Sequence, residues 1–385
     1  MRTPINAAVL EQPGRPLRMT EVLLDEPAEH EVVVRPEHVG LCHSDLHYVK
    51  GALSIELPAV LGHEAVGVVE HVGRAVTRVA PGDRVVATVT PSCGICPSCS
   101  RGRPTQCTRV DRIRYRERPK LVTRQGVPVE VLGGLGAFAE AFLAGEGALA
   151  KITPDVPSSA ACLLGCCITT GFGAAVHGAK ITAEDTVAVI GCGGVGIAAV
   201  QGARIAGARR IVAIDAVGEK LGLARTFGAT DVLLAGSDPE ATVRQLKELV
   251  TGGVSHAIEA VGRAQTAELA FAILAPTGTA TVLGLMPEGE RLSIPADALV
   301  YGDRILRGAY MGANRFLSDV EMFTDHYRSG RLDLDSMVTA ELPFGQINEG
   351  FAAMADPATI RIVLGLRAAP NRPSTLDRIS QKGAA

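Results

Sequence analysis

Four of the chain's nine cysteines fall in one run, Cys93-x2-Cys96-x2-Cys99-x7-Cys107, within PSCGICPSCSRGRPTQC. Thiolates two residues apart on a turning backbone converge on one ion, and four of them complete the closed tetrahedral shell that zinc takes in structural sites. The run therefore calls for a compact lobe pinned by metal where an apolar core would otherwise be needed. Disulfides are the competing reading. The opening MRTPINAAVLEQPGRPL has no cationic segment leading into an apolar stretch, which argues against an oxidising destination. Longer apolar runs are broken by Gly, Pro or charge before membrane-spanning length, so a cytoplasmic protein with no membrane partner is expected.

The other five cysteines supply a second metal pattern. Cys42 lies in Gly40-Leu41-Cys42-His43-Ser44-Asp45, His63 in Gly62-His63-Glu64, and a cysteine pair in Gly165-Cys166-Cys167. A catalytic zinc takes three protein ligands and keeps one position open, and two thiolates with one imidazole form a known set. Cys42, His63 and either Cys166 or Cys167 would provide it. Each alone is ordinarily a small buried hydrophobe or a satisfied core histidine; together they point to metal chemistry.

At 385 residues the chain exceeds one ordinary core and fits two domains, and 47% hydrophobic content can fill both. A net charge of −3, with no sustained basic stretch interleaved with aromatics, excludes nucleic acid as an obvious partner and leaves a small molecule as the expected ligand. Short β-type runs at 31–35, 66–72 and 84–89 predict a compact, partly open barrel or sandwich. Beyond residue 160 the texture changes to buried runs at 187–190 and 211–214 alternating with helical segments at 195–206 and 219–227, which predicts βαβ units and a parallel sheet. Strands at 338–342 and 361–366 flank a helix over 347–354 and are expected to return to the first domain. Residues 368–385 are polar, with Pro370 and Pro373, and are expected to be loosely ordered.

Gly191-Cys192-Gly193-Gly194-Val195-Gly196 follows the 187–190 run directly and opens a helix. In this context the first glycine permits the tight turn, the second lets backbone approach a pyrophosphate, and the third lets helix and strand pack closely, with the helix N-terminus facing the phosphates. Asp215 ends the next strand nineteen residues beyond Gly196, placed to accept hydrogen bonds from ribose hydroxyls and to repel a 2′-phosphate. Ala216, Val217 and Gly218 follow, with no arginine, so NAD(H) is expected over NADP(H).

GLCHSD, LGHEAVGVVE, the four-cysteine run, LGCCITTGFGAAV, VIGCGGVGIAAVQGA, the strand ending in Asp215, and PFGQINEGF followed by IRIVL together resemble the zinc-dependent medium-chain alcohol dehydrogenases. The resemblance is closest to the long-loop branch of liver-type and glutathione-dependent formaldehyde dehydrogenases. It spans nearly the whole chain and implies an α/β protein with two parts. These are a GroES-like β-rich catalytic domain from 1–169 and 311–385, and an inserted Rossmann domain, with a doubly wound parallel sheet, over 170–310.

Residue by residue, the resemblance places a catalytic zinc on Cys42, His63 and Cys166, and a second zinc on Cys93, Cys96, Cys99 and Cys107, two per chain. Asp45 resembles the carboxylate that orients the zinc-bound imidazole, and Glu64 the acidic neighbour behind the metal; the competing reading of Glu64 is a solvent-facing carboxylate at a helix start. Hydride would pass from the carbinol carbon to the nicotinamide, Ser44 would take the hydroxyl proton, and His47 would carry it outward. His43 and Arg361 resemble pyrophosphate contacts, Lys220 an adenosine ribose contact, and Thr170 a further cofactor contact beside the glycines. A homodimer is implied, with 279–285 and 299–308 resembling its interface.

By alignment to the flanking motifs, Val89 and Leu132 stand where liver-type enzymes build the pocket wall from bulky aromatics, so medium or bulky primary alcohols and their aldehydes, aryl or allylic, are expected. Two alternatives are a thiol-adduct formaldehyde dehydrogenase and an enzyme that holds NAD(H) as a prosthetic group. The formaldehyde reading finds only Glu56 as a charged candidate in 51–56, and the basic stretch 112–120 reads mainly as a solvated loop face.

Overall fold

The computed structural model describes residues 2–366. Met1 and the polar stretch 368–385 fall outside the described residues. The chain divides into two units, Met1–Cys166 with Arg315–Tyr327 and Leu334–Ala385, and Cys167–Asn314 with Arg328–Asp333.

The first unit holds two β systems. Strands Thr3–Leu10, Arg18–Leu24, Leu121–Thr123, Pro128–Val131 and Ala59–Val60 close into a barrel in that order. A second sheet runs Leu149–Lys151, Arg84–Ala87, Glu64–Val72, Glu31–Gly40, Arg361–Gly365, Val338–Pro343, with Phe142–Gly145 also pairing to Glu31–Gly40. The C-terminal strand Arg361–Gly365 lies antiparallel on Glu31–Gly40, with Val363 opposite Gly40, so the end of the chain does return to the first unit. Alternating β-branched residues build the core: Val32, Val34, Val66, Val69, Val85 and Val363 are all at most 1% exposed.

Two strand boundaries differ from the sequence expectation. Glu31–Gly40 continues well past Arg35 through Pro36, which the ladder tolerates by shifting register between Pro36 and His38. The strand expected at 84–89 ends at Ala87, because the chain then turns toward the cysteine lobe; Thr88 N donates to Ala148 O at 2.9 Å and Ser92 N to Gly147 O at 3.2 Å.

The second unit is a six-stranded, all-parallel sheet in the order Asp231–Leu234, Arg210–Asp215, Thr186–Ile190, Val254–Glu259, Leu274–Val282, Ile305–Gly308. The strand order reverses between Thr186–Ile190 and Val254–Glu259, which is the switch point where such sheets bind ligands beyond their carboxyl ends. Helix Gly194–Ile205 packs on helix Cys167–Gly173 at glycine contacts. A Cβ on Gly171 would lie 2.0 Å from Val195 O, and one on Gly202 would lie 2.9 Å from Phe172 Cα.

Candidate metal centre and dinucleotide cradle

Cys42 precedes the short helix His43–Val49, with extended backbone at φ −109° and ψ 148°. That bend sends its thiol inward while the helix carries Asp45 into the core. Asp45 is fully buried and accepts from Gly62 N at 3.0 Å, and its Oδ1 lies 3.1 Å from His63 Nδ1. Gly62 turns with φ +91°, and a Cβ there would lie 2.7 Å from the Phe138 backbone nitrogen, so the chain passes into His63 through a position only glycine fits. Cys166 sits between the turn Cys162–Gly165 and the helix starting at Cys167, and its Sγ lies 4.0 Å from Cys42 Sγ.

The donor atoms of Cys42, His63 and Cys166 all lie within 4.8 Å of one another, in residues that are 4–5% exposed. Ligand atoms at the corners of a tetrahedron with zinc–sulfur bonds of about 2.3 Å stand roughly 3.8 Å apart, so the sulfur separation fits one shared ion. The protonation balance fits too. The shared hydrogen bond with Cys166 holds the Cys42 thiol well below the ordinary range and pushes Cys166 well above it. Burial works to lower the His63 pKa, but the charges of Asp45 and Cys42 overcome it and raise it well above the usual value. Two thiols and an imidazole crowded around a proton are the arrangement that a divalent cation resolves by taking the proton's place. With Nδ1 committed to Asp45, His63 presents Nε2 as its ligand atom.

Ser44 Oγ lies 3.5 Å from Cys42 Sγ and is half-buried, while His43 and His47 on the same helix are exposed. Glu64 opens strand Glu64–Val72 and is fully buried, which rules out the solvent-facing alternative. Its Oε2 lies 3.5 Å from Arg361 Nε, and Arg361, 4% exposed, also donates to Leu41 O at 3.1 Å. Glu64 and Arg361 therefore form a buried ion pair behind the residues that carry Cys42.

The four lobe cysteines converge equally closely, with their sulfur atoms within 4.8 Å of one another and Cys96 Sγ 3.9 Å from Cys107 Sγ. Backbone N–H groups point at the sulfurs: Cys93 N and Arg109 N each donate to Cys107 Sγ at 3.4 Å, and Cys96 N to Cys93 Sγ at 3.3 Å. Donors aimed at sulfur favour thiolates, the metal-binding form. None of the nine cysteines is in a disulfide.

In the second unit, Gly191 follows strand Thr186–Ile190 with φ +91°, its N–H donating to Ile214 O at 2.8 Å. A Cβ on Gly196 would lie 1.7 Å from Gly191 O, whereas one on Gly193 would meet nothing within 4 Å. The third glycine is thus required by packing, and the second leaves an open face at the N-terminus of helix Gly194–Ile205, which begins Gly194-Val195-Gly196. That face suits a pyrophosphate. Asp215 closes strand Arg210–Asp215 and braces the same turn, accepting from Cys192 N at 2.7 Å and Val217 N at 2.9 Å. Lys220 is half-buried on helix Gly218–Thr226. Thr170 is 7% exposed, and its hydroxyl lies 3.5 Å from Met311 Sδ.

The basic stretch 112–120 is a solvated face in part: Arg112, Tyr115, Glu117 and Arg118 are exposed, whereas Arg114, Arg116 and Lys120 turn inward. Arg116 pairs with Asp25 and Glu31 at 2.7 and 2.9 Å, and Lys120 is 5% exposed and donates to Gly134 O at 2.6 Å and Leu143 O at 3.2 Å. Arg114 donates to Val89 O. Residues 110–114 form a helix and Arg112 and Arg118 stay exposed, so the placing of a cation at every second position carried no signal of which ones turn inward.

Residues 28–154 match the family model of the alcohol dehydrogenase GroES-like domain, and residues 194–325 that of zinc-binding dehydrogenases. Among solved structures, an alcohol dehydrogenase zinc-binding domain protein from Burkholderia ambifaria is 31% identical with a TM-score of 0.90, covering 95% of this chain and 100% of its own. Benzyl alcohol dehydrogenase from Acinetobacter calcoaceticus is 28% identical with a TM-score of 0.87 over the same shares, 95% and 100%. A protein of Sinorhizobium meliloti 1021 described as a zinc-binding dehydrogenase, solved with NADP bound, is 26% identical with a TM-score of 0.77, covering 94% of this chain and 99% of its own.

Proposed function

As a member of the zinc-binding alcohol dehydrogenase family, the chain is one for which we propose NAD-dependent oxidation of medium or bulky primary alcohols, aryl or allylic, and the reverse reduction of their aldehydes. The observation that carries this reading is the buried convergence of Cys42, His63 and Cys166 with the Ser44 hydroxyl 3.5 Å from Cys42 Sγ. When bound, a zinc ion supplies Lewis acidity to an alcohol oxygen and the nicotinamide accepts the hydride.

The chain's own residues do the rest. Asp45 fixes the His63 ring and its tautomer through the 3.1 Å contact to Nδ1. Ser44 takes the substrate hydroxyl proton, and His47, exposed one turn further along the same helix, passes it to solvent. Asp215 receives the ribose hydroxyls and excludes a 2′-phosphate, which sets NAD(H) over NADP(H) although the Sinorhizobium relative was solved with NADP. Gly191, Gly193, Gly194, Val195 and Gly196 cradle the pyrophosphate.

Val89 and Leu132, both partly buried, form an aliphatic pocket wall; the similarity to a benzyl alcohol dehydrogenase supports a substrate of that size. Two zinc ions bind per chain, the second in the cysteine lobe. The protein is a homodimer, a reading supported by the edge strand Ile305–Gly308 and by Val300 and Tyr301, which are 72% and 91% exposed. Nine free cysteines suit a reducing cytoplasm. Steady-state assay of ethanol, benzyl alcohol and cinnamyl alcohol with NAD and with NADP tests the function. NADH formation fastest with the aryl and allylic alcohols supports it, and no alcohol-dependent reduction of either cofactor by zinc-replete protein overturns it.

A further inference from the structure

We propose that Arg114 is a specificity-positioning residue: its guanidinium clamps the neck of the four-cysteine lobe and so fixes Val89 as a wall of the substrate site. The proposal rests on the assignment of Val89 to that wall.

Val89 lies where the chain leaves strand Arg84–Ala87 and runs toward Cys93, outside the sheet ladder. Two contacts tie this neck to the metal ligands. A Cβ on Gly165, the residue before Cys166, would lie 2.4 Å from Ala87 O, so the strand end abuts the Cys166 segment. On the other side, Ala137 N donates to Gly62 O at 2.9 Å and Phe138 N to Leu61 O at 3.0 Å, which lays the segment after Leu132 along the approach to His63.

Between these supports Val89 is gripped by two groups. Gly133 turns with φ +62°, and a Cβ there would lie 2.6 Å from Val89 Cγ1, so the loop presses directly on the valine side chain. The Val89 carbonyl, which has left the ladder, is met by the Arg114 guanidinium. Arg114 is itself held, since a Cβ on Gly134 would lie 2.8 Å from Arg114 Cα, and Lys120 pins Gly134 O at 2.6 Å.

Arg114 also ends the helix Val110–Arg114, whose first N–H donates to Cys107 O at 3.3 Å. One turn and a half of helix therefore joins the last lobe ligand to the carbonyl of the pocket wall. Arg114 thus links the cysteine lobe to the pocket wall.

The test measures kcat/KM for ethanol, benzyl alcohol and cinnamyl alcohol in wild type, R114M, V89A and the V89A/R114M double variant, with zinc content and NADH affinity by fluorescence in parallel. A loosened wall discriminates less, so the spread between best and worst alcohol narrows roughly three- to tenfold in R114M while zinc and NADH binding hold. In V89A, adding R114M narrows it no further, because both changes act through the Val89 side chain, which is already gone. A wild-type spread in R114M, or an equal narrowing in the V89A background, overturns the clamp. If V89A itself leaves the spread unchanged, the assignment of Val89 to the wall fails first and the clamp with it. R114A also removes the donor to Val89 O, and carries the same comparison with the same deciding results if R114M does not fold.

Discussion

His63 Nδ1 lies 3.1 Å from Asp45 Oδ1, and the same carboxylate oxygen accepts the Gly62 N–H at 3.0 Å. One buried oxygen thus fixes both the imidazole and the backbone that presents it. Asp45→Asn removes the charge while keeping the shape, and zinc affinity at the three-ligand site falls roughly 10- to 100-fold. Chelator competition on metal-loaded protein checks this, with the lobe zinc expected to stay; unchanged affinity at both sites would remove Asp45 from the account.

Asp215 braces the glycine turn through Cys192 N and Val217 N and is proposed to take the ribose hydroxyls as well. Asp215→Gly is therefore expected to weaken NAD and strengthen NADP together, moving the ratio of their kcat/KM values by tenfold or more, on the order of one lost charge-assisted hydrogen bond plus one relieved repulsion. Parallel kinetics with the two cofactors measure it. A wild type that already prefers NADP would contradict this reading of the strand end.

Lys120 is buried against Glu31, Gly134 O and Leu143 O, and burial lowers its pKa from 10.5 to about 8. Between those values the unfolded chain holds more protons than the folded one, so this group's contribution to stability is fully present above the unfolded pKa and is lost as pH falls through the folded one. The thermal midpoint of wild type relative to Lys120→Met is accordingly expected to rise from pH 8 toward pH 10. At neutral pH the variant still loses roughly 2–4 kcal/mol, because two carbonyls and a carboxylate are left without their donor. A midpoint difference that is flat or falls across the window contradicts the assignment.

In the proposed proton path the half-buried Ser44 is the inner end and the exposed His47 the outer end. Ser44→Ala is expected to lower kcat for alcohol oxidation roughly 100-fold or more with zinc retained, and His47→Gln about tenfold near neutral pH. Added imidazole should rescue the His47 variant alone, since solvent base replaces the exposed end and cannot reach the half-buried one. Wild-type rates in Ser44→Ala would end the relay.

Much of this site was legible because its chemistry is local in sequence. Cysteines two residues apart, a glycine turn directly after an apolar run, and an aspartate closing the next strand each carry their own geometry, and each lies where its pattern implied. Spacing alone left Cys166 and Cys167 as alternatives, because adjacent residues share every spacing to within one; it is Cys166 whose sulfur stands 4.0 Å from Cys42. The inward-turned cations of the basic stretch were illegible for the opposite reason. Arg114 reaches Val89 across 25 positions and Lys120 reaches Leu143 across 23, and contacts of that separation leave no periodic trace in the sequence. The end of strand Arg84–Ala87 was likewise set by tertiary demand, since Val89 has strand propensity and loses its ladder partner only because the lobe must begin.

Cys42, His63 and Cys166 are proposed to hold the catalytic metal and the lobe cysteines a second one. The most direct test is metal analysis of wild type and Cys166→Ala, both purified without added metal, coupled to an assay of alcohol-dependent NADH formation on the same samples. Two zinc ions per wild-type chain are expected, and in the variant one zinc, retained in the lobe, with NADH formation abolished. Two zinc ions in the variant, or alcohol oxidation by protein that holds only the lobe zinc, would contradict this assignment.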